Sequence, residues 1–450
     1  MGKVGRSMAC AAVALLVLTV AQGCSSQGEP ATGAAGSDDG DFRRLAGEVL
    51  EFYYRQDPST ATYLGIHKYD NLIADYSSAS VKADVEAIKS FKTKLDAVDS
   101  QALSSEAQLD LVQTKNTLDG MLLRNEVIRP LAKDPDIYSS GITNDAYVMI
   151  SRTFAPPEQR LKSLTARMKL MPGALAEARK NLDNPPRVYT EIAIDQVDGN
   201  RDFFADDVPA AFKGVKDPAV LAEFNTAKDA VIAALEDYKS WLQDDLLNRS
   251  NGSFAYGTDT YKKVLAADEM ITTPLPDLLS AAEADLKSNQ QAFTEAARRV
   301  DPTKTPPEVL ADVAKDFPPP SELLAVTQSG LDSLARFVRD KQIIDLPQAP
   351  PAKVVETPPF MRATTSAAMD TPGPFEKVAT EAYFMMTLPD PTSSKEEQDV
   401  VRSYQLGVNA YVVKPVDFTE FVRAIADLGI FWAVLNEPPP GSQRYIKPNK

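Results

Sequence analysis

The chain has 450 residues, 44% of them hydrophobic, enough to build a sizeable core and two or more domains. Its 48 basic and 63 acidic side chains leave a net charge of −15, which argues against nucleic acid or anionic lipid headgroups as partners, because both are held by a basic face. Two cysteines and a single histidine, His67, are its whole supply of thiol and imidazole metal ligands.

The chain opens with a short basic stretch carrying Lys3 and Arg6, followed by an apolar run from Met8 to Val20 and then Ala21-Gln22-Gly23-Cys24. That order predicts a Sec-type signal peptide over residues 1–23. The run is shorter than the about 20 apolar residues of a membrane span. Ala21, Gly23 and Cys24 resemble a bacterial lipobox, which implies that the Cys24 thiol is acylated and becomes the new N-terminus. The expected location is the cell envelope, with the membrane as partner through that lipid. Cys10 leaves with the signal, so no internal disulfide is expected. Residues 24–41, rich in Ser, Gly, Ala, Pro and Asp with no apolar period, read as a flexible tether.

From Phe42 to about Phe337 apolar residues recur at three- and four-residue steps, for example Leu324, Leu331, Leu334 and Val338. Proline falls between these periodic segments, so the body is expected to be mainly α, with many helices joined at Pro-marked corners. Thr305-Pro306-Pro307-Glu308 reads as a capping box with Pro at the first helical position. Ser321, after Pro318-Pro319-Pro320, is a second candidate cap. Two short β-prone runs follow, Val354–Thr357 and Tyr383–Thr387. Beyond them Ser393–Leu406 reads as a helix, Ala410–Val413 as a strand and Asp417–Leu428 as a helix, a slice of an α/β sandwich. One parallel strand cannot satisfy its own backbone, so this slice is incomplete by itself.

Segments spread over residues 42–391 resemble the bacterial family DUF885. They include Ala61–Asp70, Tyr256–Tyr261, Glu356–Thr364, Pro372–Glu376 and the pair Tyr383-Phe384. The resemblance implies a zinc-metallopeptidase-like protein whose metal site is a His-Glu helix motif downstream of the Tyr-Phe strand. In such a motif two His at i and i+4 share a helix face, and the intervening Glu activates a water. No His-Glu pair occurs in this chain. Carboxylates alone make a poor zinc site, so the domain reads as truncated and catalytically inactive, with no catalytic residue, metal residue or cofactor assigned. Peptides remain the expected ligand class, with Tyr256, Asp259, Tyr261 and Arg362 as candidate contacts. Tyr256, Asp259 and Tyr261 stand equally well near a helix start that Thr258 or Asp259 caps. Arg362 is equally well placed to bind a substrate carboxylate or to pair with an acidic helix face. His67, in Gly65-Ile66-His67-Lys68 with no second His or Cys nearby, reads as structural.

Residues 392–440 resemble the C-terminal part of a two-component receiver domain, through Thr392–Asp399, Leu406–Tyr411 and Val413–Phe418; residues 441–450 are a tail. The resemblance places Thr392 or Ser393, together with Lys414, as remnants of its phosphoryl contacts. The family's acidic pair and phosphoacceptor Asp would lie upstream of Thr392, where this chain carries the helical pattern. A histidine kinase is therefore a partner only if this segment works as a receiver. The two resemblances meet at about residue 391, where a shortened helical domain and a receiver fragment are expected to join.

Overall fold

A computed structural model describes residues 37–388 apart from 314, 316–317, 347–350, 363–364 and 379–380. The described residues fall into two units. The first comprises those up to Tyr256 together with Gln348–Thr387, and the second those of Gly257–Pro347.

The first unit begins with α1 (Ser37–Gln56), α2 (Pro58–Tyr63), α3 (Ser78–Asp96) and α4 (Ser105–Leu122). Caps written in the sequence start three of these. Asp57 accepts from Thr60 N at 2.9 Å, Ser77 from Ser80 N at 3.2 Å and Ser104 from Ala107 N at 3.3 Å, each satisfying a backbone donor that a helix start leaves open. Helices α1, α3 and α4 share a core of Phe42, Val49, Ile88, Leu95, Leu111 and Leu118.

The larger core lies among α5 (Asp136–Ile150), α6 (Pro157–Asn181), α7 (Arg187–Asp202) and α8 (Pro218–Asp244). Along α6 the buried side chains are Leu161, Leu164, Met168, Met171, Leu175 and Ala178; along α8 they are Phe224, Ala227, Val231, Leu235, Tyr238 and Leu242. Steps of three and four residues put each set on one stripe, and the stripes close on each other. Both helices carry Pro in their first turn, where its missing N–H costs nothing.

The unit is completed by a three-stranded sheet of β1 (Lys353–Glu356), β2 (Ala367–Asp370) and β3 (Tyr383–Met386), in the order β1-β3-β2. Strand β3 is central, parallel to β1 and antiparallel to β2. Two of these strands match the expected β-prone runs. The third, Ala367–Asp370, is an addition, because Ala-Ala-Met-Asp carries no β-branched or aromatic residue to announce it. The turn Pro359–Met361 seats Phe360 in the large core, with Gly199 of α7 leaving room for its backbone: a Cβ there would lie 3.2 Å from Phe360 Cα.

The second unit consists of α9 (Thr258–Glu269), α10 (Leu275–Val300), α11 (Pro306–Val313) and α12 (Leu323–Asp340). One half of the capping box before α11 forms: Glu308 Oε2 accepts from Thr305 N at 2.8 Å, and it also accepts from Thr305 Oγ1 at 2.7 Å. Two other starts differ from expectation. Ser321 lies inside a 3-10 turn, Pro320–Glu322, and α12 begins after it with no side-chain cap, because the proline run sets that turn first. Helix α9 begins at Thr258, with Gly257 at φ 75° in the cap position, so Thr258 and Asp259 stand in the first turn instead of capping it. A glycine takes that left-handed conformation without strain, which is how the chain turns into the helix there. No described helix is long and apolar enough to cross a membrane. The receiver-like helix-strand-helix over residues 392–440 lies outside the described residues.

Candidate functional site

Two of the segments singled out in the sequence, Ala61–Asp70 and Pro372–Glu376, meet in the first unit. Their backbones almost touch. Gly65 adopts φ 89°, and a Cβ there would fall 2.3 Å from Glu376 N; a Cβ on Gly373 would fall 2.3 Å from Tyr63 O. Phe375 N donates to Leu64 O at 3.0 Å, and the Phe375 ring packs on Tyr54, Ala61, Leu64 and Tyr69.

At this junction His67 lies between two carboxylates. Its Nδ1 is 3.1 Å from Asp70 Oδ2 and its Nε2 is 3.0 Å from Glu376 Oε2, a residue 309 positions away. Its ring stacks on Phe154, centroids 3.9 Å apart and planes 13° from parallel. Burial works against the charged ring, but the hydrogen bonds and charges of Asp70 and Glu376 outweigh it, so the His67 pKa is raised above its ordinary value. Glu376 is the complement. Burial favours its neutral acid, yet the backbone N–H groups of Val378 and Lys377 together with His67 hold its carboxyl below the usual range.

Beneath this pair sits Arg167 of α6, completely buried. Its Nε donates to Asp70 O at 2.7 Å, one terminal nitrogen to Asp145 O at 2.7 Å, and the other to Thr62 Oγ1 at 2.6 Å and Pro58 O at 3.3 Å. Thr62 Oγ1 in turn lies 2.8 Å from Asp70 Oδ1, so one guanidinium ties α2, the His67 turn and α5 together. Asp145 is bonded by the Ser59 hydroxyl, and burial pushes its carboxyl up to about 7, against the lowering effect of Arg167. A second joint holds β2. Arg152 pairs with Asp370 at 2.6 Å, Tyr147 donates its hydroxyl to Asp370 Oδ2 at 3.2 Å, and the Arg152 guanidinium lies 4.8 Å over the Tyr383 ring. Between the two joints is a notch of about 10 Å³, lined by Thr62, Tyr63, Arg152, Phe154, Gly373 and Glu376. That is room for roughly one water.

A zinc centre does not fit these residues. A metal needs the lone pair of a neutral imidazole, whereas each ring nitrogen of His67 already lies at hydrogen-bonding distance from a carboxylate oxygen, of Asp70 or of Glu376. Among the described residues no group of three or more His, Cys, Asp and Glu is placed to hold a metal ion.

The candidate contacts named from the sequence are divided between the units. Tyr256 and Arg362 belong to the first, Asp259 and Tyr261 to the second. Tyr256 is exposed and adds to the rise in the Tyr189 pKa, behind the larger effect of burial. Arg362, just after the turn Pro359–Met361, pairs at 2.8 Å with Glu356 at the end of β1 and donates from Nε to Thr357 O at 2.9 Å, so its partner comes from a strand end and not from a helix face. Cys24, Thr392 and Lys414 lie outside the described residues. Arg167, Arg152, Asp370 and Glu376 were not named from the sequence. A signal existed for the first of them: Arg160 and Arg167 both fall on the apolar stripe of α6, where a charge needs a buried partner.

A lipoprotein candidate of unknown function from Shewanella oneidensis is 24% identical, with a TM-score of 0.60 over 81% of this chain and 67% of that one. A lipoprotein candidate from Colwellia psychrerythraea is 11% identical, with a TM-score of 0.61 over 82% and 70%. These likenesses show a shared fold. No curated protein matches. The model of a family described as bacterial protein of unknown function matches residues 58–408, from the first residue of α2 into the segment likened to a receiver. The chain belongs to that family, DUF885.

Proposed function

We propose that the chain is an exported envelope lipoprotein, tethered by an acylated Cys24, whose helical body binds peptide ligands without zinc-dependent hydrolysis. The tether rests on the order of basic start, apolar run and Ala21-Gln22-Gly23-Cys24. The lipoprotein descriptions of the two structural neighbours agree with it.

The absence of zinc-dependent hydrolysis rests on one observation: the single imidazole has each ring nitrogen within hydrogen-bonding distance of a carboxylate, Asp70 or Glu376. For peptide contact the reading assigns Tyr256, Asp259, Tyr261 and Arg362. The Arg362 side chain keeps 44% of its surface exposed, so it can exchange Glu356 for a ligand carboxylate. Residues 392–440 are read as a receiver fragment that accepts no phosphoryl group, with Thr392 and Lys414 as its remnants. Metabolic labelling with palmitate tests the reading. Label should enter the wild-type chain and be lost in Cys24→Ala, and the membrane-extracted protein should show no chelator-sensitive peptidase activity. Unlabelled wild type, or peptidase activity removed by a chelator, contradicts it.

A further inference from the structure

The polar junction joins segments more than 300 residues apart through one titrating ring. Residues 371–378 form a strap between β2 and β3 that carries Gly373, Phe375 and Glu376 across the Leu64-Gly65 backbone. Among the described residues the contacts that hold it include the Phe375 N to Leu64 O bond, the Phe375 ring on its small apolar cluster, and the His67–Glu376 pair. Of these, the pair alone depends on a proton.

We propose that His67 is a proton-operated clasp: as an imidazolium it holds the strap of residues 371–378 down on the N-terminal helices, and on losing its proton it lets the strap lift. A neutral ring has one N–H and one acceptor nitrogen. It can therefore serve Asp70 or Glu376, and the other carboxylate then faces a lone pair. Asp70 keeps Thr62 as a donor. Glu376 keeps the backbone donors of Lys377 and Val378, but these sit on the strap itself and move with it. In either tautomer the ring loses the positive charge that attracts Glu376 and one of the two hydrogen bonds that bridge the His67 turn to the strap, so the hold on the strap weakens. The side chain of Glu376 is 6% exposed, so its carboxylate regains water by lifting away.

Asp145, raised to about 7, also titrates in this network, but its carboxyl bonds Ser59 of α2 and not the strap. Asp70 faces the ring from its own turn and Glu376 from the strap, while the loop between α5 and α6 contributes the uncharged Phe154 face. The cations nearby are otherwise engaged: Arg160 donates to Ala155 O and Met149 O, Arg167 to Asp70 O, Arg152 to Asp370, and Lys68 pairs with Glu51. Lifting the strap would uncover the notch and present Phe154 and Arg152 to solvent.

Hydrogen exchange on the full chain at pH 6 and pH 9, corrected for the intrinsic exchange rate at each pH, tests the clasp. Protection of the Phe375 and Glu376 amides should fall about tenfold or more at the higher pH, the factor that loss of one charge-assisted hydrogen bond carries, while peptides from α6 keep theirs. In His67→Gln the strap should be equally loose at both pH values, and in Glu376→Gln the step should shrink. Either variant suffices if the other fails to fold. A wild-type strap equally protected at both pH values, or an undiminished step in either variant, overturns the proposal.

Discussion

The two units use the same kind of helix to different effect. In the first, the apolar stripes of α6 and α8 are covered, and Leu161, Leu164, Val231, Leu235 and Leu242 have no exposed surface. In the second, α10 carries Leu279, Leu286, Phe293 and Val300 at seven-residue spacing, yet they are 38%, 57%, 43% and 66% exposed. Ala297 and Val309 are the apolar side chains buried there among the described residues. An amphipathic period thus specifies a helix but does not say whether its apolar face is covered. Most helix stability in a protein comes from that covering, so stability should concentrate in the first unit.

The strongest way to break this contrast is at Arg167. Replacing it with Met removes the guanidinium donors from the carbonyls of Asp70 and Asp145 and leaves buried Asp145 without its neighbouring charge. Removing one member of such a buried charged network costs about 3–5 kcal/mol, which should appear as a lower guanidinium midpoint by circular dichroism. A matched pair of truncations sharpens the comparison. Leu164→Ala in the first unit should cost about 2–5 kcal/mol by the same measurement, and Leu286→Ala in the second no more than about 0.5 kcal/mol. Equal costs would mean that α10 is covered as well as α6.

Gly373→Ala comes next. A Cβ at that position meets Tyr63 O and Leu64 C at 2.3 Å, so the strap must shift, at about 1–3 kcal/mol. The smallest effect is the pH dependence. A group whose folded pKa is raised stabilises the fold fully below its unfolded pKa, and the contribution disappears as pH rises through the folded value. For His67 that loss begins above about pH 6.5, the unperturbed value. Asp145 acts in the same direction over a lower range, from its ordinary 3.8 up to about 7. Wild type should therefore exceed His67→Gln in stability at pH 6 and approach it at pH 9, a difference that removes the Asp145 contribution common to both.

Much of the fold was legible because its signals are local. The caps at Thr305 and the prolines opening α6, α8 and α11 can be read from neighbouring residues, as can the β-prone runs that became β1 and β3. Strand β2 was not, since Ala367–Asp370 is held by pairing with β3 and not by its own propensity. The site was half legible. His67, Gly65, Gly373 and Glu376 all lie in segments marked out beforehand, but a lone imidazole shows no partner in sequence when its carboxylate is 309 residues away. Contacts at that separation are set by tertiary packing, which no periodicity records.

Because His67 is the sole histidine, the Hε1 signal in the proton NMR spectrum of the untagged chain comes from one titrating imidazole, with no assignment among histidines needed. If both ring nitrogens donate to carboxylates, that signal should titrate with a midpoint above the ordinary histidine value of about 6.5. A midpoint at or below it would mean that the ring is not held as an imidazolium between Asp70 and Glu376.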